Sequence, residues 1–202
     1  AAGLLAQHAH GLALMSGEAQ AKIWADPETL LSSSVAPLNT ATPTQGGVRL
    51  SGRFGWSSGC DHAQWAFLGF KMPPKNEAEA PMWCFALVPR SDYAILDDWH
   101  VAALRGTGSK TLVLDEIFVP EHRIDSVPAL LTGTSKGFGI HDGGIFRSDF
   151  NAYFPLGFSA VALGVAKRMV ALSRARLLTR VRAHTGANVI ENTPAQMRLG
   201  EA

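Results

Sequence analysis

Residues 47–63, GVRLSGRFGWSSGCDHA, form the stretch on which the fold assignment depends. Side chains alternate in polarity through residues 47–56, as in a half-buried β-strand, and Ser51-Gly52 predicts a turn within that pattern. On an extended strand, Trp56 and Ser58 would face the same side. A ring and a hydroxyl so arranged can stack on a flat heterocycle and hydrogen-bond its edge, although the spacing alone is more typical of a core tryptophan beside a turn.

The regions on either side of this stretch differ in pattern. Residues 1–30 are rich in alanine and leucine at helical spacing, residues 31–125 are β-rich, residues 126–154 form a glycine-rich connector, and residues 155–202 are helical again. Further strands are predicted at 64–70, 82–88 and 110–119, punctuated by proline and glycine as in a small sandwich or barrel. The predicted fold is α+β, with a helical segment, a central β-barrel or sandwich domain and a C-terminal helical bundle.

Both helical regions carry apolar residues that would share one face of a helix. In the first region these residues are Leu12, Met15, Ala19 and Ile23. In the last region they are Phe158, Val161, Val165, Met169 and Leu172. Near the C-terminus, Thr193-Pro194 predicts another helix, with Thr193 as its N-cap and Pro194 at its first position.

Charge, cysteine content and chain ends narrow the class of protein. The net charge is +1 and no basic run is present, so a nucleic-acid partner is not expected. Two cysteines, Cys60 and Cys84, make no disulfide framework and favour a reducing, cytoplasmic setting. We expect no apolar run that spans a bilayer and no membrane partner. Because the chain lacks an initiator methionine and stops inside a helical pattern, we expect a fragment truncated at both ends.

Three motifs suggest chemistry that their context does not support. The 106–111 loop, GTGSKT, fits neither a phosphate loop nor a dinucleotide fingerprint, and it indicates a tight turn between strands that could line a cofactor cleft. Cys60, His62 and His122 match no common zinc spacing, so no metal site is expected. Residues 55–59, GWSSG, match the bare G-x-S-x-G spacing of hydrolases, but they lie in the β-rich region with no predicted helix directly after them, so a nucleophile elbow is unsupported.

Taken together, the motifs follow the order of a known family. They are His8-x-His10 in a helix, SSSVAP at 32–37, GWSSGCDHA at 55–63, FVPEHRI at 118–124 and RVRAHTGAN at 180–188. This order resembles the two-component (group D) flavin-dependent monooxygenases of the acyl-CoA dehydrogenase fold, in particular the oxygenase components of 4-hydroxyphenylacetate 3-hydroxylases. The resemblance covers residues 4–202, and the chains of that family are longer at both ends.

The resemblance implies a reaction, cofactors and partners. A separate NAD(P)H-dependent reductase would supply reduced FMN or FAD, and O2 would add to the flavin to give a C4a-hydroperoxide that hydroxylates a small phenolic or indolic substrate. It also implies a cytoplasmic homotetramer whose flavin site is shared between subunits. Two alternatives stay open: an acyl-CoA dehydrogenase that oxidises an acyl-CoA with bound FAD, and an interaction fragment that binds no flavin.

The resemblance also assigns cofactor-binding residues. Ser58 corresponds to the hydroxyl that hydrogen-bonds flavin N5, and Trp56 to an aromatic residue that lines the flavin. Arg180, Arg182 and His184, together with the neighbouring Thr185, correspond to a loop that contacts the ribityl phosphate from an adjacent subunit, because a guanidinium suits phosphate. His184 stands where the 4-hydroxyphenylacetate enzymes have a tyrosine.

The substrate residues are assigned in the same way. His8 and Ser33 correspond to residues that contact the phenol, and a neutral His8 would take the phenolic proton. Phe154 corresponds to an aromatic residue over the substrate pocket. Asn151 stands where the 4-hydroxyphenylacetate enzymes have an arginine, so the resemblance leaves the identity of the substrate open.

Overall fold

The computed structural model describes residues 2–76, 78–148 and 150–201, with the side chains of residues 2–7, 151 and 154 outside that description. The chain forms two compact units, residues 1–155 and 156–202. The helices are α1 (Ala2–Ala13), α2 (Gly17–Ile23), α3 (Val127–Thr132), α4 (Phe150–Thr179) and α5 (Thr193–Gly200). The strands are β1 (Leu31–Thr40), β2 (Thr42–Thr44), β3 (Gly47–Ser57), β4 (Trp65–Met72), β5 (Met82–Pro89), β6 (Ala94–Leu96), β7 (Lys110–Pro120) and β8 (Ile124–Ser126).

The strands of the first unit form two four-stranded sheets, in the orders β1-β4-β5-β8 and β2-β3-β7-β6. Only the β1–β4 pair is parallel among the described strand pairs. Apolar residues of both sheets, including Leu50, Leu68 and Leu112, belong to one buried core. The α+β class predicted from the sequence is therefore confirmed.

Strand β4 is buried on both faces, which explains its nearly continuous apolar sequence. Leu68 and Phe70 belong to the core shared by the sheets, whereas Phe67 packs into a second core with residues of α1 and α2. The predicted helical stripe Leu12, Met15, Ala19 and Ile23 lies in that second core and is buried throughout. The helices therefore cover the outer face of the sheet that contains β1.

The first helical region is two helices rather than one continuous helix. The Gln20 side chain explains the break, because its Nε2 donates to the carbonyl oxygens of Ala13 at 2.8 Å and Met15 at 2.7 Å. These carbonyls lie at the C-terminal end of α1 and just beyond it, where no further helical turn supplies a donor. Ser16 then caps α2 by accepting a hydrogen bond from the Ala19 N–H at 3.2 Å.

Two local predictions, the turn at Ser51-Gly52 and the N-cap of α5, are wrong. Ser51-Gly52 is not a hairpin turn, since β3 continues through it with an irregular register against β7, and Gly52 has a φ of 122°. The N-cap of α5 is Asn192 rather than Thr193, and its side chain accepts from the Ala195 N–H at 3.2 Å. An asparagine directly before threonine provides the better cap and moves the helix start by one residue.

The long helix α4 contradicts the expectation that no apolar run is long enough to span a bilayer. Its segment Pro155–Thr179 is long and apolar enough, by composition, to cross a membrane, with a mean hydropathy of 1.4. The predicted stripe of Phe158, Val161, Val165, Met169 and Leu172 is exposed along this helix. The same composition occurs in helices that pack inside bundles of water-soluble proteins, so length and hydropathy alone do not assign the helix to a membrane.

Candidate functional site

A cleft of about 520 Å³ in the first unit brings the predicted catalytic residues together. His8 of α1 and Ser58, which follows β3, both line it. Five residues of the 105–110 segment, which contains a short 3₁₀ turn and leads into β7, also line it. The volume is within the usual range for small-molecule sites, roughly 300–1,000 Å³. The complete lining consists of His8, Leu30, Leu31, Ser58, Gly59, Asp61, His62, Trp99, Arg105, Gly106, Thr107, Gly108 and Lys110.

The backbone around Trp56 departs from regular strand geometry. Trp56 has a φ of 59°, a conformation that L-residues rarely adopt, and the register of β3 against β7 shifts between Phe54 and Ser57. The strand ends at Ser57, so the strand alternation that would place Trp56 and Ser58 on one face does not apply. The Trp56 side chain is 68% exposed, and the cleft lining includes Ser58 but not Trp56. An exposed aromatic residue in a strained conformation is a feature of binding sites.

The Ser58 hydroxyl is held by a row of hydroxyl groups. Ser58 Oγ lies 2.7 Å from Ser109 Oγ, which lies 2.7 Å from Thr107 Oγ1. Thr107 Oγ1 in turn donates to the Leu104 carbonyl at 2.9 Å. The backbones of the two segments are also joined, because the Gly59 N–H donates to the Thr107 carbonyl at 2.8 Å. Ser58 is therefore held by the 105–110 segment.

His8 and Ser33, the two residues that the resemblance assigns to the substrate, are in direct contact with each other. His8 Nε2 lies 2.9 Å from Ser33 Oγ, and the imidazole is only 6% exposed. Burial lowers the pKa of His8 from 6.5 to about 4, because the surrounding protein solvates the imidazolium poorly. His8 is consequently neutral at physiological pH and carries a lone pair on one ring nitrogen.

Charged groups at the edge of the cleft are partly neutralised by one another. Lys110 Nζ lies 3.1 Å from Asp61 and 3.2 Å from Asp97. Hydrogen bonds to these two carboxylates hold the pKa of Lys110 above its usual value. Arg105 Nε donates to the Val101 carbonyl at 3.0 Å, which leaves its terminal guanidinium nitrogens at the cleft. The cleft thus offers hydroxyl groups and cationic donors beside an apolar wall.

The predicted phosphate-binding loop belongs to the second unit and is exposed. Arg180, Arg182, His184 and Thr185 follow the end of α4 at Thr179. Val181 pairs with Asn188 across a tight turn, in which Gly186 has a φ of 65°. Gly186 is therefore a turn residue and does not cap the long helix. The fold of this unit by itself presents both arginines to solvent.

The remaining predicted residues are located on α4 or lie outside the cleft. Asn151 and Phe154 fall within α4, and their side chains lie outside the described part of the structure. Cys60 and Cys84 are buried free thiols. Within residues 2–76, 78–148 and 150–201, no three His, Cys, Asp or Glu side chains are arranged to hold a metal.

Arg105 and Thr107 line the cleft and Ser109 contacts Ser58, and sequence reasoning singled out none of the three. The only signal was the 106–111 loop, whose tight turn between strands was expected as a possible cleft wall and does line the cleft. Nothing in the local sequence indicates that Ser109 contacts Ser58, because the two residues are 51 positions apart.

The chain is similar in sequence to characterised oxygenase components. It is 44% identical over 202 residues to the oxygenase component of p-hydroxyphenylacetate 3-hydroxylase from Acinetobacter baumannii, an alignment that covers 98% of this chain and 47% of that protein. It is 39% identical to the oxygenase component of an FADH(2)-dependent resorcinol hydroxylase from Rhizobium sp. (strain MTP-10005), covering 100% of this chain and 50% of that protein. No protein-family model matches the chain.

The chain is also similar in fold to solved structures. The 3-HSA hydroxylase from Rhodococcus sp. RHA1 superposes with a TM-score of 0.89 at 34% identity, over 98% of this chain and 51% of that one. XiaF from Streptomyces sp., solved with FADH2 and glycerol, superposes with a TM-score of 0.82 at 26% identity, over 98% and 50%. In sequence and fold, this chain is similar to flavin-dependent monooxygenases.

This similarity confirms the resemblance that the motifs indicated, and it also confirms the expected acyl-CoA dehydrogenase-like fold. The chain spans about half the length of the curated flavin-dependent monooxygenases it matches. The acyl-CoA dehydrogenase alternative finds no support, since the relatives are named as hydroxylases and monooxygenases.

Proposed function

We propose that the complete protein is the oxygenase component of a two-component flavin-dependent monooxygenase that hydroxylates a small aromatic substrate. The observation that carries the proposal is the cleft that unites the Ser58 hydroxyl with the neutral, buried imidazole of His8. A relative 44% identical is named as an oxygenase component, which supports a separate NAD(P)H-dependent reductase as the source of reduced flavin.

The cleft residues fit a flavin in size and chemistry. A side chain added at Gly59 or Gly106 would meet nothing within 4 Å, so the backbone leaves open space for a flat ring at both positions. The Ser58 hydroxyl would hold the edge of the ring at N5, and the exposed indole of Trp56 would contact its face. When bound, the reduced flavin supplies the activation of O2. The relatives include an FADH(2)-dependent enzyme and an FADH2 complex, and we propose reduced FMN or FAD as the cofactor.

His8 and Ser33 would bind the substrate hydroxyl. A neutral imidazole accepts a hydrogen bond from a phenol, and the 2.9 Å contact with Ser33 fixes the orientation of the ring. Complete proton removal is less favourable, because the phenol pKa of about 10 exceeds that of His8 by about 6 units. A phenolate formed beside His8 would raise the pKa of the imidazole by charge pairing. We therefore propose His8 chiefly as the acceptor that orients a phenolic or indolic substrate, with proton transfer late in the reaction.

The second unit would supply the phosphate contacts and the subunit contacts. Arg180 and Arg182 are exposed donors suited to a flavin phosphate, with His184 and Thr185 beside them. The exposed apolar stripe of α4 supports a C-terminal helical bundle and a homotetramer, because such a stripe is normally covered by other helices. Asn151 and Phe154 would complete the substrate pocket. We further propose a cytoplasmic location.

The test mixes the complete protein with reduced FMN or FAD and then with O2, in the presence of a panel of small phenols and indoles. We expect flavin reoxidation that differs in rate from free flavin, together with a hydroxylated product. Reoxidation at the free-solution rate without product would refute the proposal. Bleaching of bound oxidised flavin by an acyl-CoA in the absence of oxygen would instead indicate a dehydrogenase.

A further inference from the structure

The hydroxyl groups of Ser58, Ser109 and Thr107 form a hydrogen-bonded chain. It ends on a backbone carbonyl, which can only accept a hydrogen bond. The last contact is Thr107 Oγ1 to the Leu104 carbonyl oxygen at 2.9 Å. Two oxygen atoms at that distance repel unless a proton lies between them, and only the threonine can provide it. Thr107 therefore donates its hydroxyl proton to the Leu104 carbonyl oxygen.

This end point fixes the direction of every other bond in the chain. Thr107 has one proton, so the 2.7 Å contact with Ser109 requires Ser109 to donate. Ser109 also has one proton, so its 2.7 Å contact with Ser58 requires Ser58 to donate. The proton of Ser58 points away from the cleft, and its oxygen presents lone pairs toward the cleft.

We propose that Thr107 and Ser109 are positioning residues that fix the Ser58 hydroxyl as a hydrogen-bond acceptor toward the cleft and so select reduced over oxidised flavin. The inference rests on the proposed function, because it takes Ser58 to face flavin N5. In reduced flavin, N5 carries a hydrogen and donates to Ser58. In oxidised flavin, N5 carries a lone pair, which would meet the lone pairs of Ser58.

Burial makes the reverse orientation unfavourable. If Ser58 turned its proton toward an oxidised flavin, Ser109 would have to donate to Ser58 and could no longer donate to Thr107. Thr107 would then face either Ser109 or Leu104 without a proton between the oxygens. Ser109 is buried, so water does not readily replace the lost partner. The selection therefore depends on Thr107 as much as on Ser58.

The test replaces Thr107 with valine, which keeps the shape of the side chain and removes its hydroxyl. In Thr107→Val, Ser109 is free to donate to Ser58, which releases the Ser58 proton toward the cleft. Dissociation constants of FMN and of FAD are measured anaerobically in both redox states for the complete protein. We expect the ratio of oxidised to reduced dissociation constants to fall by about two- to tenfold, the range for one neutral hydrogen bond. A tenfold fall lowers the two-electron midpoint potential of the bound flavin by about 30 mV.

Three further variants separate this effect from a change in packing. Thr107→Ser restores the hydroxyl and should restore the ratio. Thr132→Val is a matched control, because Thr132 also donates to a carbonyl, that of Pro128 at 2.9 Å, but does not line the cleft. In a Ser58→Ala background, Thr107→Val should have no effect on the ratio, since the group it orients is gone.

The outcomes distinguish this inference from the proposed function. If the wild type binds neither redox state of either flavin, the proposed function fails and the inference fails with it. If flavin binds and Thr107→Val leaves the ratio unchanged, only the inference is overturned. An equal effect of Thr107→Val in the Ser58→Ala background would also overturn it, because the threonine would then act by another route.

Discussion

The burial of His8 predicts a specific dependence of folding stability on pH. The folded pKa of about 4 lies below the ordinary value of 6.5, so the unfolded chain takes up a proton at a higher pH than the folded protein does. The stability associated with neutral His8 is fully present above pH 6.5 and is lost progressively as the pH falls toward 4. Below that range both states are protonated and the loss is complete.

The magnitude follows from the two pKa values. At about pH 5 the unfolded histidine is almost fully protonated and the folded one is not, which lowers the free energy of unfolding by about 2 kcal/mol. The complete loss, reached below pH 4, is about 3 kcal/mol. Because only 6% of the His8 side chain is exposed, solvent screening reduces these values little.

The perturbation is His8→Asn, which removes the titrating group and keeps a polar side chain near Ser33. Urea unfolding is measured for wild type and variant from about pH 7.5 to about pH 5, and the difference in free energy of unfolding is plotted against pH. We expect the wild-type advantage to fall by about 2 kcal/mol across that range. His100→Asn introduces the same residue at an exposed position and should not reproduce this slope. A flat difference curve for His8→Asn would refute the reasoning.

Three other substitutions should change either the coupling of O2 use to hydroxylation or the free energy of unfolding. Ser58→Ala should preserve the fold and increase the fraction of O2 released as hydrogen peroxide rather than used for hydroxylation, measured as product formed per NADH consumed. Gln20→Leu should lower the free energy of unfolding by about 1–3 kcal/mol, because two buried carbonyls lose their donor. Gly69→Ala should lower it by about 1–3 kcal/mol, because a Cβ there would overlap the backbone carbonyl of Val35.

Each of these predictions has its own contrary outcome. Unchanged coupling in Ser58→Ala would mean that the hydroxyl only packs. A loss below about 0.5 kcal/mol in Gln20→Leu would show that water replaces the amide. Gly106→Ala is the control for Gly69→Ala, since a Cβ at Gly106 meets nothing within 4 Å, and an equal loss in both variants would contradict the steric argument.

The sequence by itself determined the features that depend on local periodicity. The stripe Leu12, Met15, Ala19 and Ile23 is buried as expected, because helical spacing places one face toward the core regardless of what completes that core. The strands near 64–70, 82–88 and 110–119 form for a similar reason, since β-branched and aromatic runs favour extended backbone. The order of the motifs then identified the family, which the comparisons confirm.

The tertiary structure decided the features that depend on residues far apart in the chain. The break between α1 and α2 requires the Gln20 amide, which is itself held by His141 at 2.6 Å. The irregular end of β3 left Trp56 exposed, which strand alternation could not anticipate. The proposed direction of the Ser58 hydrogen bond is set by Thr107 and Ser109 on the segment that leads into β7.

The physical reason for this division is the range of the forces involved. Helix and strand periodicity arises from backbone geometry over a few residues, so it can be recognised in the spacing of apolar residues along the sequence. A hydrogen bond between Ser58 and Ser109 exists only after β3 and β7 have paired, and its proton is placed by the whole chain of acceptors that follows. The sequence thus singled out Ser58 as a candidate, whereas its proposed role as an acceptor toward the cleft depends on contacts that exist only in the folded unit.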